Sequence, residues 1–526
     1  MEISAEYYYC AIALCLSFLA YRFLGRWIKH DSPLPPSPTA LPLIGHLHLV
    51  KPPLHLSLQN LLSHYGPILS LKLGRRRALV LSSPSAVEEC FTKNDAVFAN
   101  RPRTMAGDHF TYNYRAYVWA PYGDLWRALR RLTVAEIFSP KTLLRSAAVR
   151  EEEVRALVRR LGRSEISGGG AAPVDLKFLL SLLTINVMMR LAVGRRCAEE
   201  EEAGTEEERG KFQEFKEKFF PSLGMNICDF VPILRAVGFK GIEKKMVKLR
   251  KERDEYFRRV VDGVVERRHR RRGEGDSGTG SDGEEVRSVA EIILSLRESD
   301  PEFYSDDVVN GSIAMMFVAG TETTSITLEW AMTLLLDHPR VMQKLKAEID
   351  SNIGHEQLLN ERDTAKLPYL KCVINETLRL YPPAPLLLPH RSSENCTVEG
   401  YQVPKDTTLM VNVWAMHRDP KLWDEADKFV PERFEVVDSK EDAVAGGEGC
   451  KYAPFGMGRR ACPGAGMGMN LVSLALGSLI QCFEWEKVGQ DVEDMTAKIG
   501  MALSKSKPLE AKCSPRRDIG ELLSHV

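Results

Sequence analysis

Between Ser305 and Leu336 the chain reads SDDVVNGSIAMMFVAGTETTSITLEWAMTLLL, with no proline and with apolar residues on nearly every face of the helix this implies. A helix without a solvent face has nowhere to lie except through the middle of a large core. Its Ser-Asp-Asp start supplies capping residues for the first turn. One interruption stands in the middle, where Gly320, Thr321, Glu322, Thr323 and Thr324 replace the apolar run. Hydroxyls in a long helix bond back to carbonyls one turn earlier. A glycine beside an acid and hydroxyls also suits a local opening that takes water or a small ligand.

A second feature lies near the C-terminus, in PFGMGRRACPGAGMG, where Cys462 sits among five glycines. Gly456-x-Gly458-x-x-Ala461 satisfies a dinucleotide fingerprint, with Glu484 near the expected acidic position. No strand leads in, however, and too little chain follows for a nucleotide-binding half. The 11 cysteines are odd in number and contain no C-x-x-C pair, which argues against a disulfide framework and against clustered zinc ligands. Lys plus Arg total 71 and Asp plus Glu total 71, so no global field draws nucleic acid. The reading left is a thiolate bound to haem iron. Glycines let backbone approach the flat macrocycle closely, backbone N–H groups can point at the sulfur, and Arg460 carries a charge suited to a propionate.

FGMGRRACPG resembles the haem-binding signature F-x-x-G-x-R-x-C-x-G of the cytochrome P450 monooxygenases, matching at Phe455, Gly458, Arg460, Cys462 and Gly464. AGTETT (Ala319 to Thr324) is similar to that family's oxygen-binding motif, ETLR (Glu376 to Arg379) to its E-x-x-R motif, and PERF (Pro431 to Phe434) to the segment that follows. WRALR (Trp126 to Arg130) resembles its W-x-x-x-R helix, and LPPSP its proline hinge. The stretches SSPSAVEECFTKND and PYGDLWRALRRLTVAEIFS make the resemblance closest to the plant A-type group, in the isoflavone-hydroxylase and lignan-oxidase branch.

The resemblance implies a mainly α fold with a small β-sheet subdomain, its long central helix passing over haem b held by Cys462. It implies that Arg460, Trp126, Arg130, Arg101 and His390 clamp the propionates, and that Phe455, Gly456, Gly464, Ala319 and Gly320 lie against the cofactor. Thr323 and Glu322 are assigned to proton delivery during oxygen activation, and Glu376, Arg379 and Arg433 to a buried network. The spacing of Glu376 and Arg379 places them on one helix face, among apolar neighbours. Electrons are expected from NADPH–cytochrome P450 reductase on the cysteine side, with O2 and a small apolar or phenolic substrate as the other reactants. Segments 105–119, 219–231, 312–323, 382–389 and 501–504 are the expected pocket walls, bringing Phe110, Tyr112, Tyr114 and Tyr117.

The expected organisation is a membrane anchor over 1–28, a proline-rich hinge over 29–45 and a catalytic domain over 46–526. Tyr7 to Leu24 is almost wholly apolar, within the lower range for a membrane helix. Glu2 and Glu6 lead it, Arg22 lies near its end, and Arg26 and Lys29 follow, unlike a cleaved signal peptide. That charge bias places the body in the cytosol, and the resemblance implies the endoplasmic reticulum as the membrane. The acidic tract Cys197 to Arg209 and the basic-to-glycine stretch Val264 to Glu285 read as solvated surface. Hydroxylation, ring coupling and methylenedioxy-bridge formation, on phenolic or terpenoid substrates, stay open. A haem sensor, an electron carrier or a membrane scaffold would need neither AGTETT nor a large pocket.

Overall fold

In a computed structural model of the chain, residues 33–168, 173–198, 204–219, 224–273, 287–435, 450–489 and 502–520 are described, with positions 13, 17, 495 and 522. The expected anchor lies outside the described residues save positions 13 and 17, as do the hinge before residue 33, residues 274–285 of the glycine-rich stretch, residues 199–203 of the acidic tract, and residues 220–223 and Met501 of the expected pocket walls. Among the described helices are α1 (Leu54–Tyr65), α2 (Met105–Phe110), α3 (Asp124–Leu132), α4 (Ala147–Gly168), α5 (Leu176–Val193), α6 (Glu206–Phe219), α7 (Ile227–Phe230), α8 (Pro232–Ala236), α9 (Ile242–Gly273), α10 (Asp306–Asp337), α11 (Pro368–Leu380) and α12 (Ala465–Cys482); further helices include Pro84–Phe91, Val289–Ser299 and Pro339–Asn352.

The long helix is α10, a single rod in which most side chains are buried. It stops at His338, φ −125° and ψ 74°, because the residue before Pro339 is driven out of helical geometry. The serine cap expected at its start is absent: Ser305 makes no side-chain cap bond, and its Oγ is buried without a partner. Helices α4, α5, α11 and α12 share one continuous apolar cluster with α10. Closest is α5, where a Cβ on Gly320 would stand 2.2 Å from Met188 Sδ, so glycine is what allows the two helices to cross there. Trp330 of α10 stacks on Tyr381 with ring centroids 3.8 Å apart, and its Nε1 donates to Leu503 O at 2.7 Å. Two described helices, Leu176–Val193 and Ala465–Cys482, are long and apolar enough to cross a membrane, but both are mostly buried within the protein.

ILSLKLG and RRALVLSS form the expected hairpin, β1 (Ile68–Leu73) and β2 (Arg76–Leu81), with Leu69 opposite Val80. The parallel strand β7 (Thr408–Val411) and then β4 (His390–Arg391) complete a four-stranded sheet in the order β1-β2-β7-β4. Smaller sheets join β3 (Val174–Asp175), β9 (Glu510–Pro515) and β8 (Phe483–Lys487), and β5 (Cys396–Val398) with β6 (Tyr401–Val403). The proline-rich segment docks against the body: Pro36 O accepts from Ser70 N at 2.8 Å, and buried His46 spans Pro38 O at 2.9 Å and Lys72 N at 2.8 Å. Since Lys72 N–H donates to Nδ1, the ring proton sits on Nε2; burial lowers this histidine's pKa and keeps it neutral.

Two surface expectations divide. The basic run from Val264 is a helix end, that of α9, but only partly solvated: His269 and Arg270 are exposed, whereas Val264 is buried and Arg267 donates to Val193 O at 2.6 Å. The acidic tract is not all solvated loop: Glu206, Glu207 and Glu208 open α6, and Glu208 is buried, paired with Arg160 at 2.6 Å. Acidic residues suit a helix N-terminus, and the buried one has acquired a cation.

Candidate active site

The cysteine loop is shaped by its glycines. Gly456 and Gly458 have φ of +69° and +65°, and a Cβ on Gly458 would meet Asp95 Oδ1 at 2.5 Å and Phe91 O at 2.9 Å. Both conformation and space exclude a side chain there. Cys462 N donates to Phe455 O at 2.9 Å, which folds the loop back on itself, and α12 begins three residues after the cysteine. Its outer side is pinned by Asp95, which accepts from Arg459 Nε at 2.7 Å.

Burial pushes the Cys462 thiol up, while the Gly464 N–H and the Arg130 guanidinium pull it down. The side chain nevertheless keeps exposed surface. Both hold when a residue deep in the fold faces an internal hollow. Ala319 tells the same story from α10: it is exposed halfway along a helix whose flanking Phe317 and Thr321 are buried. Thr323, one turn on, lies on the Ala319 side of the helix.

Around the loop gathers a cationic cluster. Arg460 donates to Ala99 O (2.7 Å) and Ala120 O (2.6 Å), and lies 4.6 Å from the centre of the Trp126 ring. Arg130 Nη1 donates to Tyr117 Oη at 2.6 Å and to Ala461 O at 2.9 Å, tying α3 to the residue before the cysteine. Arg101 donates to Leu388 O and Pro389 O, each at 2.9 Å. Desolvation, joined by repulsion from Arg460 at Arg101 and from Arg130 at Arg460, lowers the pKa of Arg101 to about 9 and that of Arg460 to about 10. None of the three has a carboxylate in ion-pair range among the described residues. Trp126 Nε1 is buried without an acceptor. Three guanidiniums and an orphaned indole N–H, with no anion of the protein's own, fit the two carboxylates of a haem whose iron takes the nearby sulfur.

Several expected positions behave differently. His390 differs from the arginines: its Nδ1 bonds Phe98 O at 2.8 Å, and burial, then Arg101, lower its pKa well below the ordinary value where no anion stands beside it. The Cβ direction of Gly320 faces Met188, not open space. Thr321 and Thr323 bond back to Phe317 O and Ala319 O at 2.5 and 2.7 Å, so the ordinary reading of those hydroxyls holds alongside the opening at Ala319. Of the aromatic wall, Phe110, Tyr112 and Tyr114 are core; Tyr112 Oη donates to Asp254 at 3.0 Å and Tyr114 Oη to Thr104 O at 2.9 Å. Tyr117 belongs with Arg130 and Trp126.

Behind the loop, Arg379 spends all five donors: on both oxygens of Glu376 (2.7 and 2.8 Å) and on the carbonyls of His417, Ala426 and Lys428 (2.6, 2.7 and 3.0 Å). Arg433 Nε reaches Glu376 at 3.0 Å. The sequence reading missed the link from this network to the cysteine loop, which is His417. Its Nδ1 donates to Arg379 O and its Nε2 accepts from Ala453 N, both at 3.1 Å, and burial drops its pKa to about 3. No spacing in the sequence announces a contact between residues 36 apart in a loop.

The Trp126 orphan gives a test. Trp126→Phe keeps the ring and deletes a donor to a charged acceptor, an interaction worth about 1.5–3 kcal/mol. Haem transfer from the variant to excess apo-globin is expected to be roughly 10- to 100-fold faster than from the native chain. An unchanged rate would remove Trp126 from the clamp.

A family model described as Cytochrome P450 matches residues 35–513. Among relatives, cytochrome P450 81Q32 of Catharanthus roseus is 45% identical over 94% of each chain. The (+)-piperitol/(+)-sesamin synthase of Sesamum radiatum is 42% identical over 100% of this chain and 99% of its own, and the isoflavone 3'-hydroxylase of Medicago truncatula 41% identical over 97% and 98%. Among solved structures, a zebrafish cytochrome P450 with progesterone superposes with a TM-score of 0.70 at 25% identity, covering 88% of this chain and 100% of that one.

Proposed function

The chain belongs to the cytochrome P450 family and is a haem-thiolate monooxygenase using O2 and electrons from a redox partner, and we propose that it oxidises a flavonoid, lignan or related phenolic. The observation that carries the reading is the convergence of Cys462, the carboxylate-free cluster of Arg101, Arg130, Arg460 and Trp126, and the open Ala319–Thr323 side of a buried helix. Hydroxylated isoflavones and sesamin name the chemistry of relatives at 41–42% identity. Both ring hydroxylation and methylenedioxy-bridge formation follow from that chemistry, and a terpenoid is the runner-up substrate.

Bound haem supplies oxygen activation. The chain supplies the rest. Cys462 gives the thiolate, and Arg460, Arg130 and Trp126 hold the propionates. Arg101 adds positive potential from behind them, its donors on backbone carbonyls. Thr323 Oγ1 donates to Ala319 O at 2.7 Å, which leaves its lone pairs to accept from a water and so to fix that water's protons; Glu322 relays protons towards it. The electron donor is NADPH–cytochrome P450 reductase, meeting the side of α3 where Arg127 and Arg131 are exposed. Residues 1–28 anchor the chain in the endoplasmic reticulum membrane, 29–45 form the hinge, and 46–526 the cytosolic catalytic domain.

The test is a panel of isoflavonoids, lignans and terpenoids, incubated with the full chain and reductase in microsomes and followed by product and NADPH use. A phenolic product is expected, and turnover confined to terpenoids would overturn the substrate assignment. With the phenolic in hand, Thr323→Ala is expected to keep haem and substrate binding while product per NADPH falls about tenfold or more, with peroxide making up the difference. An unchanged ratio would contradict the role of Thr323.

A further inference from the structure

Past its opening at Ala319, the face of α10 that carries Thr323 closes two turns further on, at Trp330. Positions 323 and 330 share that face because seven residues make very nearly two turns. Along it Ala319 is exposed, Thr323 half-buried and Trp330 fully buried. Trp330 is covered by Tyr381, stacked on it with ring centroids 3.8 Å apart, and by Leu503, whose carbonyl accepts from Nε1 at 2.7 Å. Tyr381 leads directly into the expected wall 382–389, and Leu503 belongs to the expected wall 501–504.

The two walls are also tied to each other, Leu503 N donating to Pro383 O at 3.0 Å. At its far end the 382–389 segment is held by Arg101, on Leu388 O and Pro389 O. Between the ends Leu387 has φ +51°, a left-handed backbone that a residue with a side chain keeps only where its surroundings impose it. Beneath the other wall, fully buried Lys505 lies 5.5 Å from the centre of the Trp330 ring, and its Nζ donates to Thr333 Oγ1 at 3.2 Å. Further along, Leu509 N donates to buried Glu329 at 3.1 Å, and Glu329 pairs with Lys177 at 3.3 Å. Apolar burial alone has no direction and leaves a turn free to slide. Directional bonds to Glu329, Trp330 and Thr333 of one helix give this stretch a single position.

We propose that Trp330 is a positioning residue for substrate selection: through Tyr381 and Leu503 O it sets how far the walls 382–389 and 502–504 stand from the Thr323 face, and so the size of ring system that the site admits. It does this without touching the substrate. The inference rests on the haem-thiolate reading and is the same for a phenolic or a terpenoid substrate.

Ligands that bind iron through an imidazole nitrogen probe the walls without a known substrate. The haem-loaded full chain, in its ferric state, is titrated optically with imidazole and with 4-phenylimidazole, which adds one aromatic ring. Trp330→Phe keeps an aromatic ring against Tyr381 and deletes the donor to Leu503 O. It is expected to weaken 4-phenylimidazole relative to imidazole about fivefold, the net worth of one hydrogen bond, while imidazole affinity, haem content and the carbon monoxide band stay as in the native chain. Equal changes for both ligands would make Trp330 a packing residue only, and no change for either would free the walls from it; each result overturns the proposal. If Trp330→Phe yields no haem-loaded protein, benzothienylalanine at position 330 replaces the N–H by sulfur in a ring of nearly the same size and is read in the same way. A native chain that gives no optical shift with imidazole would instead count against the haem-thiolate reading itself.

Discussion

Arg379→Lys is expected to abolish haem incorporation, although it preserves the charge. The native guanidinium lies fully buried with Glu376, each side chain at 0% exposure, and fills five acceptors. An ammonium has three donors and no planar fork, so Glu376 loses its bidentate partner and carbonyls of His417, Ala426 and Lys428 are left unpaired. Damaging a buried pair from one side costs about 3–5 kcal/mol, against a total stability of about 5–15 kcal/mol. The damage also reaches the cysteine loop, because His417 bonds both Arg379 O and Ala453 N. Haem content per chain and the thermal midpoint are the measurements. Near-native values for both would show that the network is ornamental. Exposed Lys421→Arg is the control, expected to change neither.

The second large effect concerns Cys462 itself. Serine matches the thiol in size but keeps its proton at neutral pH, and iron takes the deprotonated ligand. The surrounding loop, Gly456 and Gly458 included, needs no change to accept it, so Cys462→Ser separates ligation from folding. The clamp of Arg130, Arg460 and Trp126 remains and is expected to retain part of the haem. Substrate turnover is expected to fall below detection, because the thiolate of Cys462 is the ligand that would fit a bound haem for oxygen activation.

How much of this was legible in the sequence varies by kind of contact. The α10 rod was readable because an apolar coat at every angle has only one solution, and the β1–β2 hairpin because its alternation sits on either side of Gly74. Cys462, Arg460 and Arg130 came from local motifs, and the structure brings all three together. What stayed hidden depends on long-range packing. The partner of Gly320 is Met188, in a helix more than a hundred residues earlier. Asp95 and His417 reach the loop only through the tertiary fold, and Glu208 looks like one more solvated acid until Arg160 arrives. For His390, motif reading carried neither its bond to Phe98 O nor its burial beside Arg101. Tyr112 and Tyr114 of segment 105–119 misled, since an aromatic run marks a core as readily as a pocket.

The central claim is that the sulfur of Cys462 is bonded to haem iron, and the spectrum of the reduced protein under carbon monoxide tests it most directly. The native chain is expected to show the red-shifted Soret band of a thiolate-ligated haem, and Cys462→Ser to lose that band while any retained haem absorbs at the ordinary position. An unshifted native band, or a red-shifted band that survives in Cys462→Ser, would contradict the account.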